Sequence, residues 1–123
     1  MSKRILVVDD EVPIADLLSQ ALADEGYETR KVVQSLRVFD AVREYRPDLI
    51  LLDLMMPYLN GQDELRLISM DQESQRQIPV IVVTGCVDDS LEARALALGA
   101  RAVLRKPLSI DHLRAIVSSI GKP

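Results

Sequence analysis

At 123 residues and a formal charge of -4, the chain is long enough for one domain that buries about two-thirds of its unfolded surface, so it needs no staple to fold. Its composition, 48% hydrophobic and 28% charged with acids and bases interleaved, is that of an ordinary globular protein and leaves no basic stripe for direct nucleic-acid binding. A single cysteine, Cys86, excludes an intrachain disulfide, and the few apolar residues before Asp9 are too short for a signal peptide or membrane span, so a cytoplasmic protein is expected.

Ile5-Leu6-Val7-Val8 is an apolar run ending in the acid triplet Asp9-Asp10-Glu11. Without polar alternation, such a run reads as a short strand buried on both faces, the kind found in parallel sheets. Pro13 suits a first helical turn, and Ile14, Leu17, Leu18, Ala21 and Leu22 fall at the spacing of one buried face until Gly26 ends the helix. A weaker strand from Tyr27 to Val33 leads into a second helix, about Ser35 to Tyr45, with Leu36, Phe39 and Val42 expected inside. Pro47 opens the central run Leu49-Ile50-Leu51-Leu52, which ends at the lone carboxylate Asp53.

A turn from Pro57 to Gly61, a helix from about Gln62 to Met70 and a polar connection then precede a fourth strand, Ile78 to Val83, ending at Thr84-Gly85. A helix from Val87 to Leu98 stops at Gly99. The short strand Ala102-Val103-Leu104 ends at Arg105-Lys106-Pro107, and Ile110, Leu113, Ile116, Val117 and Ile120 line one side of a last helix. Strand and helix alternate throughout, which predicts one α/β domain over 1–123 with a doubly wound parallel sheet and helices on both faces.

A parallel sheet brings its strand ends to one rim, here Asp9, Asp10, Glu11, Asp53, Thr84 and Lys106. Crowded carboxylates repel one another unless a hard divalent cation sits among them, and magnesium commonly uses one or two carboxylates plus a phosphoryl oxygen. A hydroxyl and an ammonium nearby would complete a phosphate receptor, and a carboxylate can itself be the nucleophile of phosphoryl transfer. Each residue alone has an ordinary reading: Asp9 or Asp10 as a helix N-cap, Thr84 as a strand end, Lys106 as a surface charge.

Taken together, Asp9-Asp10, Asp53 in Asp-Leu-Met-Met-Pro with Gly61 beyond it, Thr84-Gly85 and Lys106-Pro107 resemble the motif set of the receiver domains of two-component response regulators. The resemblance spans nearly the whole chain. It implies a flavodoxin-like (βα)5 sandwich with strand order 2-1-3-4-5, a choice that rests on the resemblance as well as on the strand pattern. It also implies that Asp53 accepts a phosphoryl group from a histidine of a sensor kinase or phosphotransfer protein. Asp9, Asp10, Asp53 and the backbone carbonyl of Met55 would hold Mg2+, and Thr84 and Lys106 would contact the phosphoryl oxygens. The charge gained at Asp53 would draw Thr84 inward and alter the face made by the Val87 to Leu98 helix, the fifth strand and the last helix, a face that an unknown effector or a second copy would read. With nothing after Pro123, a stand-alone receiver or a piece of a longer regulator is expected.

Three positions depart from the family pattern or set its rate. Val103 stands where the family carries Tyr or Phe, so the helix from Val87 to Leu98 is expected to respond without a ring switching places. Met55 and Cys86 flank the path of the hydrolytic water and neither is a good base, so slow self-dephosphorylation is expected. Cys86 has no histidine beside it in the sequence and reads as a small filler, and His112 reads as a solvated residue rather than a phosphocarrier. Two competing functions are a Mg2+-dependent phosphohydrolase with Asp53 as nucleophile and a docking module that is never phosphorylated. The first wants a second Asp where Met55 stands; a nucleotide-binding role lacks a glycine-rich loop after the first strand.

Overall fold

The all-apolar runs form the centre of a parallel sheet. The computed structural model describes residues 3–34, 37–54, 78–85 and 89–121. In chain order these form β1 (Arg4–Val8), α1 (Val12–Asp24), β2 (Glu28–Val32), α2 (Val38–Tyr45), β3 (Leu49–Leu52), β4 (Val80–Thr84), α3 (Asp89–Leu98), β5 (Ala102–Arg105) and α4 (Ile110–Gly121). The strands pair in parallel in the order β2-β1-β3-β4-β5, as the resemblance implied. The expected turn from Pro57 to Gly61 and helix from Gln62 to Met70 lie outside the described residues.

Side chains alternate across a strand, and here both faces are buried, which is why β1, β3 and β4 are continuous aliphatic runs. Ile5, Val7, Leu49, Leu51, Ile81 and Val83 point to one core with Ala15, Leu18 and Leu22 of α1 and Leu113 and Val117 of α4. Leu6, Val8, Ile50, Leu52, Val80 and Val82 point to the other, with Val38, Ala41, Val42 and Tyr45 of α2 and Ala95 of α3. Leu113 is fully buried, and truncating such a leucine to alanine costs about 2–5 kcal/mol.

Two helices differ in orientation or extent from the sequence reading. In α1 the buried stripe is Ala15, Leu18, Ser19, Ala21 and Leu22, while Leu17 is half exposed. The spacing 15, 18, 19, 22 is the narrow 3–4 repeat of a contact seam, and its small members Ala15 and Ser19 let the helix settle turned so that Leu17 falls on the flank. Helix α2 begins at Val38, with Arg37 as N-cap, and buries Val38, Ala41, Val42 and Tyr45; Phe39 packs against the same core only in part. Ser35 and Leu36 lie outside the described residues.

The helix ends follow their glycines. Gly26 has φ 96°, its N–H donates to the Ala23 carbonyl at 3.0 Å, and the Tyr27 N–H donates to Leu22 at 3.2 Å. Gly99, with φ 118°, closes α3 the same way through Leu96 and Ala95. Both are six-to-one and five-to-two closures that need a left-handed residue, for which glycine carries no Cβ penalty. Helix α2 instead ends on the left-handed Arg46, φ 53°, directly before Pro47. The Lys106–Pro107 bond is cis.

Candidate functional site

The register of the sheet sets the site. Val8 is paired with Leu52 and Leu52 with Val82, so Asp9 and Asp53 leave adjacent strands at the same level. The ladder then continues one rung beyond the strands: the Asp9 N–H donates to Val32 at 3.1 Å, Asp53 N–H to Val8 at 2.9 Å, and Lys106 N–H to Thr84 at 2.9 Å. These bonds hold the backbones of Asp9, Asp53 and Lys106 at the carboxyl rim before any side chain contributes.

Asp9, Asp53 and Thr84 are buried to within 2% of full, and Asp10 is half-buried. Carboxylate oxygens of Asp9, Asp10 and Asp53 lie within 4.8 Å of one another. The Lys106 ammonium enters between the strands, 2.9 Å from Asp9 Oδ2, 3.3 Å from Asp53 Oδ2 and 3.1 Å from Glu11 Oε1. Burial alone pulls its pKa down, but the close contact with Asp9, the charge of Asp53 and the hydrogen bond to Glu11 outweigh that and hold it well above the ordinary lysine value. Asp9 also fixes the turn into α1 by accepting the Glu11 N–H on Oδ1 at 2.9 Å. Its other oxygen, Oδ2, is buried and takes no well-aligned hydrogen bond, only the ion contact with Lys106.

Three carboxylates therefore meet one ammonium with a fourth, Asp10, in the same acid cluster, and the excess negative charge is partly desolvated. Oxygen ligands at this spacing, one of them an underused buried acceptor, fit a hard divalent cation such as Mg2+. The sequence placed Asp9, Asp10, Asp53, Thr84 and Lys106 at one rim, and the structure brings them together. The Met55 carbonyl and Cys86 lie outside the described residues.

Glu11 was named at the rim without a role, yet it reaches Lys106 across 95 positions of sequence. Its signal was positional: it is the N-cap of α1, so its side chain leaves the helix start beside the strand ends. His112 is exposed near the start of α4, where its N–H donates to Ser109 Oγ at 3.3 Å. Val103 is half-buried and packs against the core shared by β1, β3, β4 and α2. An open cleft of about 320 Å³ beside β2, lined in part by Arg30, Lys31, Arg37 and Glu44, includes none of the rim residues. Among the described residues no helix is long and apolar enough to cross a membrane.

Known proteins share this arrangement of elements. A family model for the response regulator receiver domain matches residues 5–118. The chain is 38% identical over 117 residues to the DNA-binding response regulator MtrA of Mycobacterium tuberculosis, covering 95% of this chain and 50% of that protein, so it spans about half the length of such relatives. It is 34% identical over 114 residues to sporulation initiation phosphotransferase F of Bacillus subtilis, covering 93% of this chain and 90% of that one. Its fold superposes with a TM-score of 0.88, at 27% identity, on the crystal structure of the signal receiver domain of a DNA binding response regulator from Colwellia psychrerythraea 34H, covering 99% of this chain and 100% of that one. The match over nearly the whole chain, joined to the acids and lysine gathered at one rim, makes this chain a member of the response regulator receiver domain family.

Proposed function

We propose that residues 1–123 form one receiver domain in which Asp53 takes a phosphoryl group from the phosphohistidine of a sensor histidine kinase or a histidine phosphotransfer protein. The observation that carries this reading is the Lys106 ammonium seated between Asp53 and Asp9, with the Asp10 carboxylate close by. Asp53 attacks phosphorus, the bond from phosphorus to the donor imidazole nitrogen breaks, and that nitrogen keeps the electron pair and takes up a proton. The product is an aspartyl phosphate. Asp9, Asp10, Asp53 and the Met55 carbonyl would hold Mg2+, which when bound neutralises charge on the transferring oxygens. Lys106 and the Thr84 hydroxyl donate hydrogen bonds to those oxygens, and burial strengthens both.

The group added to Asp53 carries more charge and more acceptors than a carboxylate, so the states of the domain differ in how well they satisfy it. Thr84 ends β4, which pairs with β5, and α3 packs behind that pair, so the shift is read on the α3, β5 and α4 face by an effector or a second copy. The domain acts in the cytoplasm and binds nucleic acid only through whatever it controls. Its chemistry is confined to phosphorylating itself and slowly losing the group.

Incubation with acetyl phosphate and Mg2+, followed by intact mass measurement with Asp53→Asn as control, tests the reading. A lasting Asp53-dependent phosphoryl adduct supports it, rapid turnover of the donor indicates a phosphohydrolase, and no reaction indicates a docking module.

A further inference from the structure

Resting on the reading of Asp53 as phosphoacceptor, we propose that Glu11 is a positioning residue that holds one hydrogen-bond donor of Lys106 in the unphosphorylated domain and yields it to the incoming phosphoryl group. An ammonium has three N–H donors and no acceptor. In this structure three carboxylates crowd it, Glu11 and Asp53 through hydrogen bonds at 3.1 and 3.3 Å and Asp9 through an ion contact at 2.9 Å. A phosphoryl oxygen on Asp53 has to compete with these carboxylates for the ammonium.

The three are unequal. The Asp9 and Asp53 side chains are each 2% exposed, so parting either from the ammonium takes a counter-charge from a buried carboxylate that water cannot solvate in its place. The Glu11 side chain is 59% exposed, so its carboxylate returns to water at little cost. The backbone of Glu11 is fixed from both sides, its N–H on Asp9 Oδ1 at 2.9 Å and its carbonyl accepting the Ala15 N–H at 2.9 Å. Only the side chain has to move. Glu11 therefore keeps Lys106 at the mouth of the site and competes with the phosphoryl oxygens for it, which slows acceptance and spares the buried pairs.

The test compares Glu11→Gln, Glu11→Ala and Glu11→Asp with wild type for the rate of Asp53-dependent phosphorylation by acetyl phosphate at saturating Mg2+. Loss of an exposed competitor is expected to raise the rate about 2- to 5-fold in Glu11→Ala and Glu11→Asp. Glu11→Asp retains the charge but falls one methylene short of Nζ; if it behaved as wild type while Glu11→Ala was fast, simple repulsion of the donor would be at work and the inference would fail. In a Lys106→Ala background the Glu11 substitutions are expected to lose their effect, whereas a helix-capping role would persist there.

A second readout needs no phosphodonor. The NMR signal of the Lys106 ammonium is expected to exchange with water faster in Glu11→Ala and Glu11→Asp than in wild type, and unchanged exchange overturns the inference. Absence of any Asp53 adduct alongside faster exchange would overturn the phosphoacceptor reading, and with it the competition, while leaving the contact established.

Discussion

The ammonium of Lys106, just past β5, lies 3.3 Å from Asp53 Oδ2, just past β3, and so joins two strands that have β4 between them. Asp10 shares the acid cluster but makes no ion pair among the described residues, so the lysine offsets its repulsion by Asp9 and Asp53 less than it offsets theirs. Asp10→Asn is therefore expected to stabilise the metal-free protein by about 0.5–1 kcal/mol, a value kept small because Asp10 is half exposed to water. The same substitution should abolish most of the rise in Tm that Mg2+ produces in wild type. Thermal melts with and without Mg2+ check both halves.

Alkaline pH should weaken the fold through Tyr45 and Lys106. Burial first, then the bond from its hydroxyl to Glu28 Oε2 at 3.0 Å, pushes the Tyr45 pKa up from 10.0 to about 12, against the opposing charges of Arg30 and Arg4. Lys106 is raised as well. A raised pKa means that the folded state holds the proton more tightly, so the stability contributed is complete below the ordinary values and is lost as pH rises through about 10 toward 12. Neither group gives a pH dependence near neutrality. Tyr45→Phe should cost about 1–2 kcal/mol at pH 7 and flatten the alkaline slope, as denaturant titrations across that range would show.

Two backbone positions should respond with opposite signs. Nothing lies within 4 Å of where a Cβ would stand on Gly26, so Gly26→Ala tests the left-handed conformation alone and is expected to cost about 1–2 kcal/mol. Arg46 is exposed and already carries that strain at the end of α2, so Arg46→Gly is expected to stabilise by about 0.5–1 kcal/mol. Equilibrium unfolding in urea measures both.

Phosphorylation should alter α3 while Val103 keeps its rotamer. Val103 is half-buried against the core, and a β-branched side chain has no ring to exchange between two sites. Amide hydrogen exchange over residues 89–98 is expected to change on phosphorylation, and the methyl carbon shifts of Val103 are expected to stay those of one rotamer.

The aspartyl phosphate should persist for minutes or longer, because Met55 and Cys86 supply neither a base nor an amide to orient water. Met55→Asn is expected to shorten the half-life several-fold. A wild-type half-life of seconds would refute this.

The parts of the molecule legible in the sequence are those set by short-range pattern. Ile5 to Val8, Leu49 to Leu52 and Val80 to Val83 lack polar alternation because both faces are covered, and that property alone places their ends, hence Asp9, Asp53 and Thr84, on one rim. Gly26 and Gly99 marked helix ends because the closure needs a left-handed residue. What the pattern could not give was rotation and long-range contact. Leu17 fits a helical template as well as Leu18 does, and only the packing of Ala15 and Ser19 decides that Leu17 is left half exposed on the flank. The contact of Glu11 with Lys106 depends on where a helix start meets a distant strand end, which no local pattern encodes.

The alternation of β1, β3 and β4 between two cores also makes strand length a determinant of the chemistry. Odd-numbered residues of these strands serve the core under α1 and α4, and even-numbered ones the core under α2 and α3. Inserting one residue at the start of β3 would exchange every side chain of the strand between the two cores and carry the Asp53 carboxylate off its level with Asp9. The spacing from Leu49 to Asp53 thus positions the Asp53 carboxylate as much as any side chain around it does.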